Sequence, residues 1–248
     1  MRIGFFGGSF DPPHRGHLAF ALAAADTFSL DQILLAPVGM QPLKARAGTD
    51  FLHRYAMTAL AAQADARLLP SLLDAPLLPS PQQDHPNYTV DTLARLSALL
   101  HITGEPSSLF TLVGADSWLN IRNWHQPERM LALCDWIVAA RPGYGLGDSP
   151  SHALVKALSS LPARIRVSEE RDAVHGEYLR LHHDEENSTN VWFLPQMQED
   201  VSATALRQAI AAEHWDTALL PAPVAAYIRK TGLYVTTEWV GEALASRE

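Results

Sequence analysis

Five short, almost uniformly apolar segments alternate with longer stretches of helical periodicity along most of the chain. The apolar segments are RIGFF at 2–6, QILLAPV at 32–38, SLFTLVG at 108–114, DWIVAARP at 135–142 and NVWFLP at 190–195. Between them lie HLAFALAAADTF at 17–28, TDFLHRYAMTALAAQAD at 49–65, TVDTLARLSALLH at 89–101 and PERMLALC at 127–134. A strand that is apolar at nearly every position must be covered on both faces, so the alternation predicts a parallel sheet with right-handed helical crossovers. The fold class is α/β, a doubly wound parallel sheet, with ligands expected at the carboxyl ends of the strands where the chain order reverses.

A chain of 248 residues buries one substantial core, and 47% apolar with 19% charged residues is the balance of an ordinary globule. The net charge of −8, from 27 acidic and 19 basic residues, offers no general attraction to nucleic acid or an anionic membrane. An anionic ligand must therefore be caught locally. Cys134, the single cysteine, lies in the apolar run MLALCDWIVAA and reads as a buried packing residue rather than a nucleophile. The N-terminus lacks the pattern of a signal peptide and no run approaches a membrane span, so the expected location is cytoplasmic.

Two segments break the alternation. The stretch 68–88 carries five prolines and reads as a long loop, and the glycine-rich 141–152 leads into the helical pattern ALVKALSSL and the polar stretch 168–190, read as a surface insertion. Its adjacent His182 and His183, in LRLHHDEENS, should point to different faces, and no metal site is assigned there or elsewhere. After the last strand, VSATALRQAIAAEHW has a hydroxyl cap and a helix, and PAPVAAYIRKTGLY a second helix closed by Gly232. The organisation expected is a main domain over 1–200 with an insertion at 143–190, a helical part over 201–238, and a tail at 239–248.

The stretch GFFGGSFDPPHRGHL at 4–18 is the most pointed feature. Gly7 and Gly8, between a strand and a helix, permit backbone conformations and a close ligand approach that a side chain would block. The spacing is neither that of the dinucleotide fingerprint nor that of a P-loop. His14 and His17 stand three apart at a helix start, so both imidazoles lie on one face and can donate to phosphate oxygens. Two surface histidines beside a tight turn would give the same local pattern.

GGSFDPPHRGHL resembles the signature of the nucleotidyltransferase superfamily with the His-x-Gly-His motif, and within it the bacterial nicotinate mononucleotide adenylyltransferases. The resemblance runs from the first strand to GLY at 232–234: PVGMQPLK at 37–44, NYTVDTL at 87–93, LVGADSW at 112–118 and VSATALR at 201–207 each match a motif of that family in order. It implies a Rossmann-like nucleotidyltransferase fold in which the 201–238 helices complete the ATP site. The implied ATP-binding residues are Gly7, Gly8, Ser9, Phe10, His14, His17, Gly114, Asp116, Ser202, Thr204 and Arg207, with His14 and His17 the catalytic pair. Lys44, Tyr88, Thr89, Trp124, His125 and Arg141 are implied to bind the mononucleotide. Taken alone, Ser202 is equally a helix cap, Asp116 a turn residue, Trp124 a core plug, and Lys44 and Arg141 solvated charges. The family often has Pro-Pro-His-Lys where this chain has QPLK, so Leu43 stands in the place of a histidine, and the 143–190 insertion is longer and more polar than the family's.

The implied reaction joins ATP and nicotinate mononucleotide to give nicotinate adenine dinucleotide and pyrophosphate. Magnesium would arrive with ATP, since no carboxylate cluster reads as a cage for it. Nicotinamide mononucleotide or phosphopantetheine as adenylyl acceptor, cytidylyl transfer, and a non-catalytic nucleotide-binding protein on the same fold are the alternatives. Monomer and homo-oligomer both remain open.

Overall fold

The computed structural model describes residues 1–40, 48–76, 86–102, 106–139, 150–161, 165–194, 201–214 and 216–235. Among them, strands β1 (Arg2–Gly8), β2 (Gln32–Pro37), β3 (Leu68–Pro70), β4 (Ser108–Gly114), β5 (Asp135–Ala139), β6 (Arg166–Asp172), β7 (Gly176–His182) and β8 (Ser188–Leu194) form a sheet in the order β3-β2-β1-β4-β5-β8-β7-β6. Every pair from β3 through to β8 is parallel, whereas β8–β7 and β7–β6 are antiparallel. The helices are α1 (Arg15–Thr27), α2 (Phe51–Ala62), α3 (Thr89–Ile102), α4 (Ala115–Leu119), α5 (Pro127–Leu131), α6 (Pro150–Leu158), α7 (Ala203–Ala211) and α8 (Ala222–Thr231).

The uniformly apolar strands are explained by cover on both faces. Successive side chains on a strand point opposite ways, so Phe6 and Ile137 join the layer under α1 with Phe20, Ala21 and Ala24. Phe5, Trp136 and Val138 face the other way and meet Val90 and Leu93 of α3, Trp118 of α4 and Leu154 of α6. A third cluster lies between helices: Met57 and Ala61 of α2 pack with Leu206 and Ile210 of α7 and Val224, Ala225 and Ile228 of α8. That layer seats the C-terminal helices against the rest of the chain.

Two expectations from sequence are refined. The proline-rich stretch 68–88 begins with β3, which pairs Leu68 with Ile33 and Pro70 with Leu35 on the sheet edge. Three residues are too short to carry a period, and an edge strand tolerates a proline. The polar stretch 168–190 does not lie on the surface of the sheet but extends it, with Leu179 and Leu181 of β7 fully buried and the charged β6 forming the outer edge. His182 and His183 there engage Ser168 at 3.0 Å and Thr189 at 2.8 Å respectively, on opposite sides of the chain. No helix among the described residues is long and apolar enough to cross a membrane.

Cys134 is buried with its Sγ 3.1 Å from the Thr111 hydroxyl, and burial pushes its thiol up to about 12. It packs and does not react. Trp136 has no solvent exposure and meets Trp118 edge-on, ring centroids 5.6 Å apart. Trp136→Ala should therefore lower stability by about 3–5 kcal/mol in urea unfolding, with an unchanged denaturant slope.

Candidate active site

β1 lies between β2 and β4, and the chain leaves it in one direction toward β2 and later returns on its other side at β4. The crevice at this reversal is bordered by the loops after Gly8 and Gly114, the carboxyl ends of β1 and β4. The expected glycines lie there not as turns but as the last residues of β1 and β4. Neither Gly7 nor Gly8 has a positive φ; the left-handed residue of the loop is Phe10, at φ 48°. Gly7 is instead limited by space, because a Cβ there would come within 3.0 Å of the Phe5 ring. Phe10 is buried and meets Phe6 edge-on at 5.5 Å and the His17 ring at 5.0 Å, so core packing holds the strained residue in place.

His14 caps α1 and His17 is its third residue. Their rings lie together, with centroids 3.7 Å apart. The backbone N–H of His14 donates to His17 Nδ1 at 3.2 Å. That bond makes Nδ1 an acceptor, so the neutral ring carries its proton on Nε2, the donor a phosphate oxygen requires.

The second half of the site comes from the far end of the chain. Ser202 caps α7, accepting from the Ala205 N–H at 3.4 Å, and Thr204 is exposed beside it. Arg207 donates to the backbone carbonyl of Asp11 at 2.7 Å and to the Thr204 hydroxyl at 3.2 Å. A contact across 196 residues thus joins the helix start to the histidine loop. Tyr234 adds a second clasp, its hydroxyl donating to the buried Asp11 carboxylate at 2.6 Å. Across the crevice, Asp116 sits in the first turn of α4 with its carboxylate over Gly114, where an added Cβ would lie 2.6 Å from Asp116 Oδ1.

Of the residues expected on the mononucleotide side, Tyr88 stacks on His125 with centroids 4.1 Å apart, Thr89 opens α3, and Trp124 packs against the apolar layer beneath them. Lys44, Arg141 and Leu43 lie outside the described residues. The motifs did not reach Arg54 or Asp74, and Asn87 and Tyr234 lay inside matched stretches with no role assigned to them. Arg54 carried a signal, since it is a lone cation on the same helical face as Met57, Thr58 and Ala61. Asp74, buried and bonded to the Thr92 hydroxyl, anchors the segment before α3; burial raises its pKa against the opposing Thr92 bond and Arg95.

These features place the chain among nucleotidyltransferases: a model of the cytidylyltransferase-like family matches residues 5–209. A probable nicotinate-nucleotide adenylyltransferase of Stenotrophomonas maltophilia is 37% identical over 94% of this chain and 96% of its own length. One from Desulfatibacillum aliphaticivorans is 32% identical over 95% of this chain and its entire length. The chain belongs to the nicotinate-nucleotide adenylyltransferase family. Its fold is also that of the Plasmodium falciparum nicotinic acid mononucleotide adenylyltransferase complexed with NaAD, with a TM-score of 0.62 at 16% identity, covering 94% of this chain and 97% of that one.

Burial, the Asp11 charge and the Asp11 hydrogen bond all push the Tyr234 hydroxyl above its ordinary value of 10.0. A raised folded pKa stabilises the fold fully below the unfolded value and loses that contribution as pH rises past it. Tyr234→Phe should cost about 1–3 kcal/mol at neutral pH, and its difference from wild type should shrink above about pH 10 in pH-dependent urea unfolding.

Proposed function

We propose that the chain transfers the adenylyl group of ATP to nicotinate mononucleotide, giving nicotinate adenine dinucleotide and pyrophosphate in NAD biosynthesis. The observation that carries the reading is the bond from Arg207 to the Asp11 carbonyl, which sets the start of α7 against the loop bearing His14 and His17. A site with two imidazoles on one side and a helix start with a guanidinium on the other suits a polyphosphate held at both ends. The names of the relatives favour the nicotinate substrate over the amide and over phosphopantetheine.

In this reading a phosphate oxygen of the mononucleotide attacks the α-phosphorus of ATP, and the bond from that phosphorus to the oxygen bridging the β-phosphate breaks. Pyrophosphate leaves with the bonding electrons. The nucleophile is already an anion and attacks directly, so no protein group needs to be adenylylated. The protein's share is to align two anions in line and to neutralise the charge that gathers between them. His17 Nε2–H and the His14 imidazole serve the phosphates on the loop side. Gly7, Gly8, Ser9 and Phe10 let ATP approach the end of β1, and Asp116, beside Gly114, accepts from a ribose hydroxyl. Ser202, Thr204 and Arg207 hold the departing pyrophosphate. Tyr88, Thr89, Trp124 and His125 form the pyridine side, with Lys44 and Arg141 on the mononucleotide phosphate. Bound magnesium would come with ATP and offset charge on its phosphate oxygens, and a cytoplasmic location goes with this chemistry.

Pyrophosphate release measured with ATP and each mononucleotide in turn tests the reading. We expect turnover with the nicotinate form and little with the amide; no release with either overturns the enzymatic reading. His17→Ala should lower kcat by on the order of 10²–10³. Its ATP affinity, by calorimetry, should fall far less, and equal losses in both would leave His17 a binding group only.

A further inference from the structure

Arg54 is a buried cation that the chemistry above does not use. Its side chain sits in the first turn of α2 with 1% exposure, and it spends its guanidinium on three backbone carbonyls, one in the loop after β1 and two in the connection between β2 and α2. Nη1 donates to Ser9 O at 2.9 Å, Nη2 to Gly39 O at 3.3 Å and Nε to Thr49 O at 3.0 Å. Ser9 belongs to the loop after β1, and Gly39 to the loop after β2. One planar group therefore spans the two loops that the proposed reaction assigns to its two substrates.

The connection continues beyond Gly39. Met40 and Asn87 exchange two hydrogen bonds, Met40 N–H to Asn87 Oδ1 at 2.8 Å and Asn87 N–H to Met40 O at 3.0 Å. Asn87 immediately precedes Tyr88 and Thr89. There is no slack at the junction, because a Cβ on Gly39 would lie 2.4 Å from Asp74 O and 2.8 Å from Asn87 Oδ1. Hydrogen bonds thus run from Ser9 through Arg54, Gly39, Met40 and Asn87 to the start of α3.

Burying a guanidinium costs several kcal/mol of hydration, which a leucine on this apolar helix face would not incur. The return is geometric. A guanidinium offers its donors in a rigid planar fork that meets several carbonyls at once, whereas an ammonium is a point charge on a flexible stem. Asp11, in the same loop as Ser9, lies near enough to favour the cation.

We propose that Arg54 is a positioning residue that couples the two substrate half-sites, holding the loop at Ser9 and the loop at Gly39 at one separation. The proposal rests on the adenylyl-transfer reading. In-line transfer between two separately bound anions is sensitive to that separation, a misplacement of about 1 Å costing about 10²-fold.

The test is Arg54→Lys in the full chain, with wild type as control. We expect kcat to fall about 10²-fold per folded molecule, while calorimetric dissociation constants for ATP alone and for nicotinate mononucleotide alone each change by less than about threefold, within about 0.7 kcal/mol. If wild type releases no pyrophosphate, the reaction reading fails. If wild type turns over and the variant keeps its kcat, the Arg54 proposal fails. Weakening of one ligand in step with kcat, with the other unchanged, makes Arg54 a local support of one loop and also overturns it. Should the variant not fold, hydrogen exchange on wild type decides. ATP alone should slow exchange at 38–40 and 87–89 as well as at 7–10, and protection confined to 7–10 refutes the coupling.

Discussion

The site depends on the docking of α7 and α8 onto α2. This contact is apolar, built from Met57 and Ala61 against Leu206, Ile210, Val224 and Ile228, and it is non-directional, so it supplies adhesion rather than registration. Registration comes from the polar contacts at its margin: Arg207 on the Asp11 carbonyl and Tyr234 on the Asp11 carboxylate. Without the apolar layer these bonds would have no reason to form across the length of the chain. Without the bonds, the helices could seat with the start of α7 away from the histidines.

Helix α2 therefore has two faces of consequence. One side buries Met57 and Ala61 under the C-terminal helices, and its first turn sends Arg54 beneath the loops after β1 and β2. Loops carry backbone groups that a strand or helix would satisfy internally, and when such loops are packed tightly those groups need partners. Here the partners of the Ser9, Gly39 and Asp11 carbonyls are arginine side chains. The strained Phe10 is tolerated within the same arrangement because its ring is locked between Phe6 and His17. Rigidity at the strand ends is thus a product of packing below and guanidinium bonds beside the loops.

Much of the fold was legible because the signals were long and physical. Segments apolar at nearly every position announce β1, β2, β4, β5 and β8, and the lone cysteine is buried as its surroundings suggested. β3 was not legible, since Leu68–Pro70 is too short to show a period and its strand character depends on pairing with β2. The polar strands β6 and β7 were read as surface, because an edge position allows charged residues that imitate a solvated insertion. In the site, the histidine loop, the Gly114–Asp116 turn and the Ser202 cap stood out as motifs, whereas Arg54 was a single residue inside an ordinary helical pattern and Tyr234 ended a matched stretch without a role of its own.

The order of residues determined by itself the parallel alternation, the pair of glycines that ends β1, the three-residue spacing that sets His14 and His17 on one face, and the hydroxyl cap at the start of α7. Those are local properties, governed by periods of 2 and 3.6 and by the conformational demands of a few residue types. Which of these pieces meet was decided only by tertiary structure. Arg207 reaches Asp11 because helix packing carries it there, and Arg54 finds three carbonyls because the loops after β1 and β2 leave the same side of the sheet. A hydrogen bond between residues far apart in sequence leaves no periodic trace, so its partner becomes visible only once the layers are assembled.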